Sequence, residues 1–295
     1  TEGSMSESVV RFALLLMRAV SRLPYPVVRR LGEFAGSLAW VLAVPRRRVA
    51  RVNLRLCFPH WSEAQRRAVA RGHFRYFMRS FFDRFIFWYG APERIRRLCR
   101  LEGIEHFEPH RGRPVIVLAP HFVGLDAGGI RLSLEAQCAS MYAAQKSRAL
   151  TEAMTQGRMR FNNGRLLLRT EGLRPAVKAL RDGLPFYFLP DMDLGARDAV
   201  FVPFFGVPAA TVTSVARLAR ITGAVVVPLV TTMADDGYVA RFYPAWQDFP
   251  GDDLAAATRR MNAFIEERVL EMPAQYLWSH KRFKTRPPGE AKPYR

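Results

Sequence analysis

The chain has 295 residues, 49% of them hydrophobic and 24% charged, enough apolar material to bury a large core, which excludes a disordered chain. A formal net charge of +19 sets a positive field that favours anionic partners, among them phospholipid headgroups, phosphorylated sugars, acidic carrier proteins and nucleic acid. Cys57, Cys99 and Cys138 are odd in number and lack paired spacing, which argues against a disulfide framework or a zinc site and suits a reducing compartment.

Thr1–Ser4 precede Met5 and read as a tag remnant. Residues 5–50 form an N-terminal segment with two apolar runs, Val9 to Val20 and Leu31 to Pro45. Arg11 and Arg18 interrupt the first, and Pro24 and Pro26 with Arg29 and Arg30 separate it from the second. Both fall short of the roughly 18 to 20 uncharged apolar residues that span a bilayer. They read as a helical hairpin in or on one leaflet, with Arg46, Arg47, Arg48 and Arg51 facing anionic headgroups; a span across the bilayer and ordinary buried helices of the domain are the alternatives.

Residues 51–295 carry the pattern of one α/β domain: a mixed, mostly parallel central sheet flanked by helices. Ser62 with Glu63 opens a long helix towards Trp88 whose second half is rich in aromatics, as core, or as a surface that lines an apolar channel or dips into lipid. The runs Pro114 to Ala119, Phe186 to Leu189, Ala224 to Val230 and Tyr238 to Tyr243 are expected strands. Helices are expected near Leu125 to Leu134, Leu173 to Asp182, Thr213 to Thr222 and Leu254 to Leu270.

His121 follows the first strong strand, at the carboxyl end where open α/β sheets hold ligands. Asp126 lies five positions on, in the first turn of the next helix. If its carboxylate folds back to the imidazole, it fixes the tautomer while His121 takes a proton from an attacking hydroxyl. A lone histidine after a strand is more often a capped or hydrogen-bonded structural residue, so spacing alone does not establish the catalytic role. Arg158, Arg160, Arg165 and Arg169 surround Asn162-Asn163-Gly164, as a phosphate-binding group of guanidiniums or a solvated basic face. Asp191 and Asp193 follow another expected strand, where a structural turn outweighs a metal site. The stretch Phe201 to Gly206 suits core or a wall for acyl chains and lacks the glycine pattern of nucleotide loops.

The His-x4-Asp pair resembles the signature of the glycerolipid acyltransferase superfamily. Further stretches resemble its bacterial lipid A biosynthesis (late, secondary) acyltransferases: Asn53-Leu-Arg-Leu-Cys-Phe-Pro59, Ala119-Pro-His-Phe122, Gly157-Arg-Met-Arg160, Pro190-Asp-Met-Asp-Leu-Gly195, Phe201-Val-Pro-Phe-Phe-Gly206 with Ala209-Ala-Thr211, and Gln275-Tyr-Leu-Trp278 with Arg282-Phe-Lys-Thr-Arg-Pro287. The resemblance implies a catalytic dyad of His121 and Asp126, a substrate-binding Arg158 beside Arg160, and Asp191 and Asp193 shaping the acceptor site. It also implies an acyl carrier protein thioester as donor, an anionic glycolipid acceptor, the cytoplasmic face of a bacterial inner membrane, and no cofactor or metal. Met192 and Leu194 stand where the family often has His or Gln and Tyr, which bears on acceptor or chain-length specificity. A glycerophospholipid or another glycolipid as acceptor, with acyl-CoA or acyl carrier protein as donor, is the alternative. Nucleic acid is not an expected partner, because no recognised binding module is present.

Overall fold

The computed structural model describes residues 7–294; the expected tag remnant Thr1–Ser4 lies outside the described residues. The chain begins with helices α1 (Glu7–Val20), α2 (Tyr25–Leu42) and α3 (Val44–Cys57), followed by the long α4 (Glu63–Tyr89). Pro26 sits in the first turn of α2, where its missing amide hydrogen costs nothing. Helix α3 runs through residue 50, so the expected division between 50 and 51 falls within one helix, and Ala50, Leu54 and Cys57 belong to the main core.

Helix α2 packs against α4 through Gly32 and Gly36. A Cβ on Gly36 would stand 2.5 Å from the Arg75 Cα, and one on Gly32 would stand 2.6 Å from the Arg79 Cα, so only glycine permits this approach. The other side of α2 presents Val27, Leu31, Phe34, Leu38 and Val41 to solvent at helical spacing, and α1 adds Phe12, Leu15 and Leu16. Among the described residues no helix is long and apolar enough to cross a membrane.

A reciprocal cap opens α4: the Ser62 hydroxyl accepts from the Gln65 amide at 3.2 Å, and the Gln65 side chain accepts from the Ser62 amide at 2.8 Å. Phe85, Phe87 and Trp88 at its far end are buried core. Beyond it come α5 (Pro92–Leu98), β1 (Cys99–Glu102), β2 (Val115–Leu118), α6 (Leu125–Ser133), β3 (Ala139–Tyr142), α7 (Arg148–Met159) and β4 (Arg165–Leu168). The chain continues through α8 (Arg174–Arg181), β5 (Phe186–Phe188), β6 (Ala199–Phe204), β7 (Val207–Val212), α9 (Ser214–Thr222), β8 (Val225–Ala234), β9 (Gly237–Phe242) and α10 (Leu254–Glu271).

Seven strands form one sheet in the order β1-β9-β8-β2-β5-β3-β4, parallel throughout except for the β8–β9 hairpin. The expected mixed, mostly parallel α/β architecture is therefore the one observed. All four residues of β2 are buried, as a central strand covered on both faces requires. β6 and β7 make a separate antiparallel hairpin, and its Phe204 is fully buried, so the Phe201 to Gly206 stretch contributes core. Sequence reading missed β1, β3 and β4, short strands whose mixed polarity carries no alternation, and also the β6–β7 hairpin.

Candidate active site

Parallel register brings the central groups together. In the β2–β5 pair Leu118 lies opposite Phe188; three residues further along each strand stand His121 and Asp191. The chain beyond β2 is also clamped from the carboxyl-terminal side. Phe122 bridges to Tyr276, the Val123 amide donates to the Gln275 carbonyl at 2.8 Å, and the Leu277 amide donates to the His121 carbonyl at 3.1 Å. Gln275 is itself fixed by two bonds to the Met233 backbone on β8. Asn53 on α3 holds the next stretch, donating to the Trp278 and His280 carbonyls at 2.7 Å each.

His121 meets Asp191 and not Asp126. Its Nδ1 lies 2.7 Å from the Asp191 Oδ1, and its backbone amide donates to both carboxylate oxygens at 3.1 and 3.0 Å. Tyr276 donates its hydroxyl to the Asp191 Oδ2 at 3.0 Å. The Asp191 side chain is 1% exposed. Burial pushes its carboxyl upward, but the charge and the N–H groups of His121 outweigh that and hold it below the usual carboxylate range. With Nδ1 committed to Asp191, Nε2 is the nitrogen His121 has left for the cavity it lines.

Asp126 occupies the first turn of α6, as its sequence position predicts, but its partners are arginines. Arg158, in the last turn of α7, places Nε 3.1 Å and Nη2 2.5 Å from the Asp126 Oδ1, and Arg84 on α4 pairs with Oδ2 at 2.6 Å. Burial works against the ionised Asp126, and the two guanidiniums more than offset it, lowering the carboxyl to about 2. The expected His121–Asp126 contact is replaced because two cations converge on Asp126 from neighbouring helices. Arg84 escaped sequence reading, although a lone cation among Phe81, Phe82, Phe85 and Trp88 was a signal.

The remaining expected substrate-binding residues divide. Arg158 lines the cavity, whereas Arg160 turns away to the Phe87 carbonyl and stacks over Phe161, 4.4 Å from the ring centroid. Asp191 and Asp193 lie behind the cavity wall, not on it. Asp193 accepts from the Thr285 amide at 2.6 Å, the Thr285 hydroxyl at 2.8 Å and the Gly195 amide at 3.0 Å, so its buried charge ties the loop after β5 to the carboxyl-terminal segment. His280, whose Nε2 accepts from the Asp193 amide, is held neutral, its pKa lowered to about 4 by burial and by the charge of His121.

The cavity, about 630 Å³, begins at His121, Asp126 and Arg158 and continues between the sheet and helices α6 and α7, past Ile130, Met154 and Tyr187. Its far end is marked by Cys138 and Gly164, at the amino ends of β3 and β4. It thus follows the length of β3, roughly 13 Å at about 3.3 Å per residue. Phe77 of α4 also lines it, as do Met192 and Leu194, and Arg165 and Arg169. The arrangement combines one oriented imidazole, two guanidiniums anchored on Asp126, and a long slot with a mostly apolar lining.

A model of the bacterial lipid A biosynthesis acyltransferase family matches residues 5–285. Among characterised proteins the chain is 34% identical over 275 residues to a lipid A biosynthesis lauroyltransferase of Escherichia coli (strain K12), covering 92% of this chain and 89% of that one. It is 33% identical to the palmitoleoyltransferase of the same strain, with 92% and 90% covered, and 34% identical to its myristoyltransferase, with 92% and 84% covered.

Proposed function

Since this chain belongs to the bacterial lipid A biosynthesis acyltransferases and transfers an acyl chain onto a lipid A precursor, we propose that the cavity binds the acyl group and that His121 is the general base. The observation that supports this reading most directly is the position of His121. Its Nδ1 is held from behind, and it lines a cavity of about 630 Å³ whose lining is mostly apolar, as an acyl chain requires.

The reaction proceeds by direct attack. The acceptor hydroxyl oxygen adds to the thioester carbonyl while its proton passes to the His121 Nε2. Arg158 uses Nε and Nη2 on Asp126 and keeps its Nη1 donors for the oxyanion or for a phosphate of the acceptor. The tetrahedral intermediate collapses, the C–S bond breaks, and the departing thiol takes the proton back from the imidazolium.

The donor is a fatty acyl thioester of acyl carrier protein. An acidic carrier is drawn to a chain whose net charge is +19, and a thioester supplies the activated acyl group without a cofactor. The protein works at the cytoplasmic face of the inner membrane, residues 5–50 providing the contact. The unpartnered apolar stripe of α2, with Phe12, Leu15 and Leu16 of α1 and the basic run Arg46 to Arg48, matches a lipid surface.

Incubating the purified protein with a 12-carbon acyl carrier protein thioester and a tetra-acylated lipid A precursor, then weighing the product, tests the reading. A mass gain of one acyl group on the precursor is expected. Acylation of a lysophospholipid from acyl-CoA, with none on the precursor, would replace it with the glycerophospholipid alternative.

A further inference from the structure

The two carboxylates near His121 have different partners, and the difference assigns them different work. We propose that Asp191 is the carboxylate that positions His121 for proton abstraction, and that Asp126 serves acyl transfer by holding Arg84 and Arg158 at the cavity wall. This assignment rests on reading His121 as the base.

Three donors converge on Asp191: the ring Nδ1–H of His121 at 2.7 Å, the backbone amide of the same residue, and the Tyr276 hydroxyl at 3.0 Å. The ring and backbone bonds from one residue to one carboxylate fix both the rotation of the imidazole and its tautomer. The Tyr276 bond holds the carboxylate in turn, and Tyr276 is buried against Phe122 and Trp278, with ring centroids 5.5 and 5.1 Å apart. As Nε2 gains a proton, the buried negative charge of Asp191 stabilises the imidazolium.

Asp126 has no such capacity to spare. Both of its oxygens face guanidiniums, and an aspartate paired to two arginines gives up its charge to them. What it supplies is geometry: a guanidinium held through Nε and Nη2 has its remaining donors aimed by the plane of the group. Tyr187 braces the start of the same helix, donating to the Leu125 carbonyl at 2.7 Å. Asp191 is therefore a positioning residue acting through His121, and Asp126 a positioning residue acting through Arg158.

The pH profile of kcat/KM separates these roles, with a 12-carbon acyl carrier protein thioester and a tetra-acylated lipid A precursor as the probes. Asp191→Asn is expected to lower kcat about 100-fold or more with KM within about threefold, and to move the acidic limb to lower pH, because the charge stabilising the imidazolium is gone. Asp126→Asn is expected to raise KM for the precursor and leave the limb in place. Tyr276→Phe keeps both charges, leaves Asp191 one donor short and so more basic, and is expected to move the limb to higher pH; this milder variant decides the matter if Asp191→Asn does not fold. A limb that moves in Asp126→Asn and stays fixed in Asp191→Asn, or in Tyr276→Phe, overturns the assignment. Full turnover in His121→Ala would instead remove the general-base reading itself, whereas an inactive His121→Ala beside an Asp191→Asn of unchanged profile would refute only the role given to Asp191.

Discussion

Behind His121 and across the cavity from it, the molecule solves one problem in two ways. The rear wall, built from the loop after β5 and the segment Gln275 to Trp278, buries Asp191 among donors that include an imidazole and a tyrosine. The front wall, built from α4, α6 and α7, places Asp126 between Arg84 and Arg158. Both carboxylates stay ionised against the cost of burial, because an unpaired buried charge would cost several kcal/mol. The rear wall offers an imidazole, whose two ring nitrogens can hold a carboxylate on one side and pass a proton on the other. The front wall offers planar guanidiniums, so its chemistry is electrostatic.

The widest expected gap between the walls comes from removing the base. His121→Ala should slow transfer by about 100- to 10,000-fold while the folded core persists, measured as initial rate with the 12-carbon thioester. A loss below about tenfold would make the rear wall structural. On the front wall Arg158→Lys keeps the positive charge opposite Asp126 but loses the planar fork, and kcat/KM should fall about 10- to 100-fold. An unchanged value would mean that the wall only supports the fold.

Stability against pH sharpens the contrast further. Asp126 titrates at about 2 in the fold against an ordinary 3.8, so its contribution is present above about pH 4 and is lost as pH falls towards 2. Over that window urea unfolding of the wild type should lose about 2 kcal/mol more than Asp126→Asn loses. A wild type and variant with parallel pH curves would contradict the ion pairing at Asp126. The smallest effect belongs to the far end of the slot, away from both walls. Cys138→Phe should leave both carboxylates untouched and shift donor preference towards shorter chains by about tenfold, read from competing 10- and 12-carbon thioesters. The thiol is inert there, since burial pushes its pKa up to about 12.

Much of the fold was legible because its signals are local. The buried Val-Ile run of β2, the cap at Ser62 and the periodic helices α6, α8, α9 and α10 each follow from a few neighbouring residues. The close packing of α2 on α4 was also written locally, in Gly32 and Gly36 four residues apart, but was passed over. His121 was found for the same reason, as a histidine just past a strand's carboxyl end. Its partner was misread because nearness in sequence stood in for nearness in space. Asp126 is five residues away and turns to arginines from two other helices, whereas Asp191 is 70 residues away and lies beside it.

The sequence by itself determined the α/β class, the central strands and most of the helices, the apolar stripes at the amino-terminal end, and the presence of an imidazole where a sheet of this class exposes its ligands. Only the tertiary structure decided which carboxylate that imidazole meets, that Arg160 leaves the cavity while Arg84 joins it, and that Gln275 to Trp278 forms the back of the site. The physical reason is that helix and strand formation depend on neighbours a few residues apart. A buried charge is instead satisfied by whichever group the strand register and helix packing bring within about 3 Å.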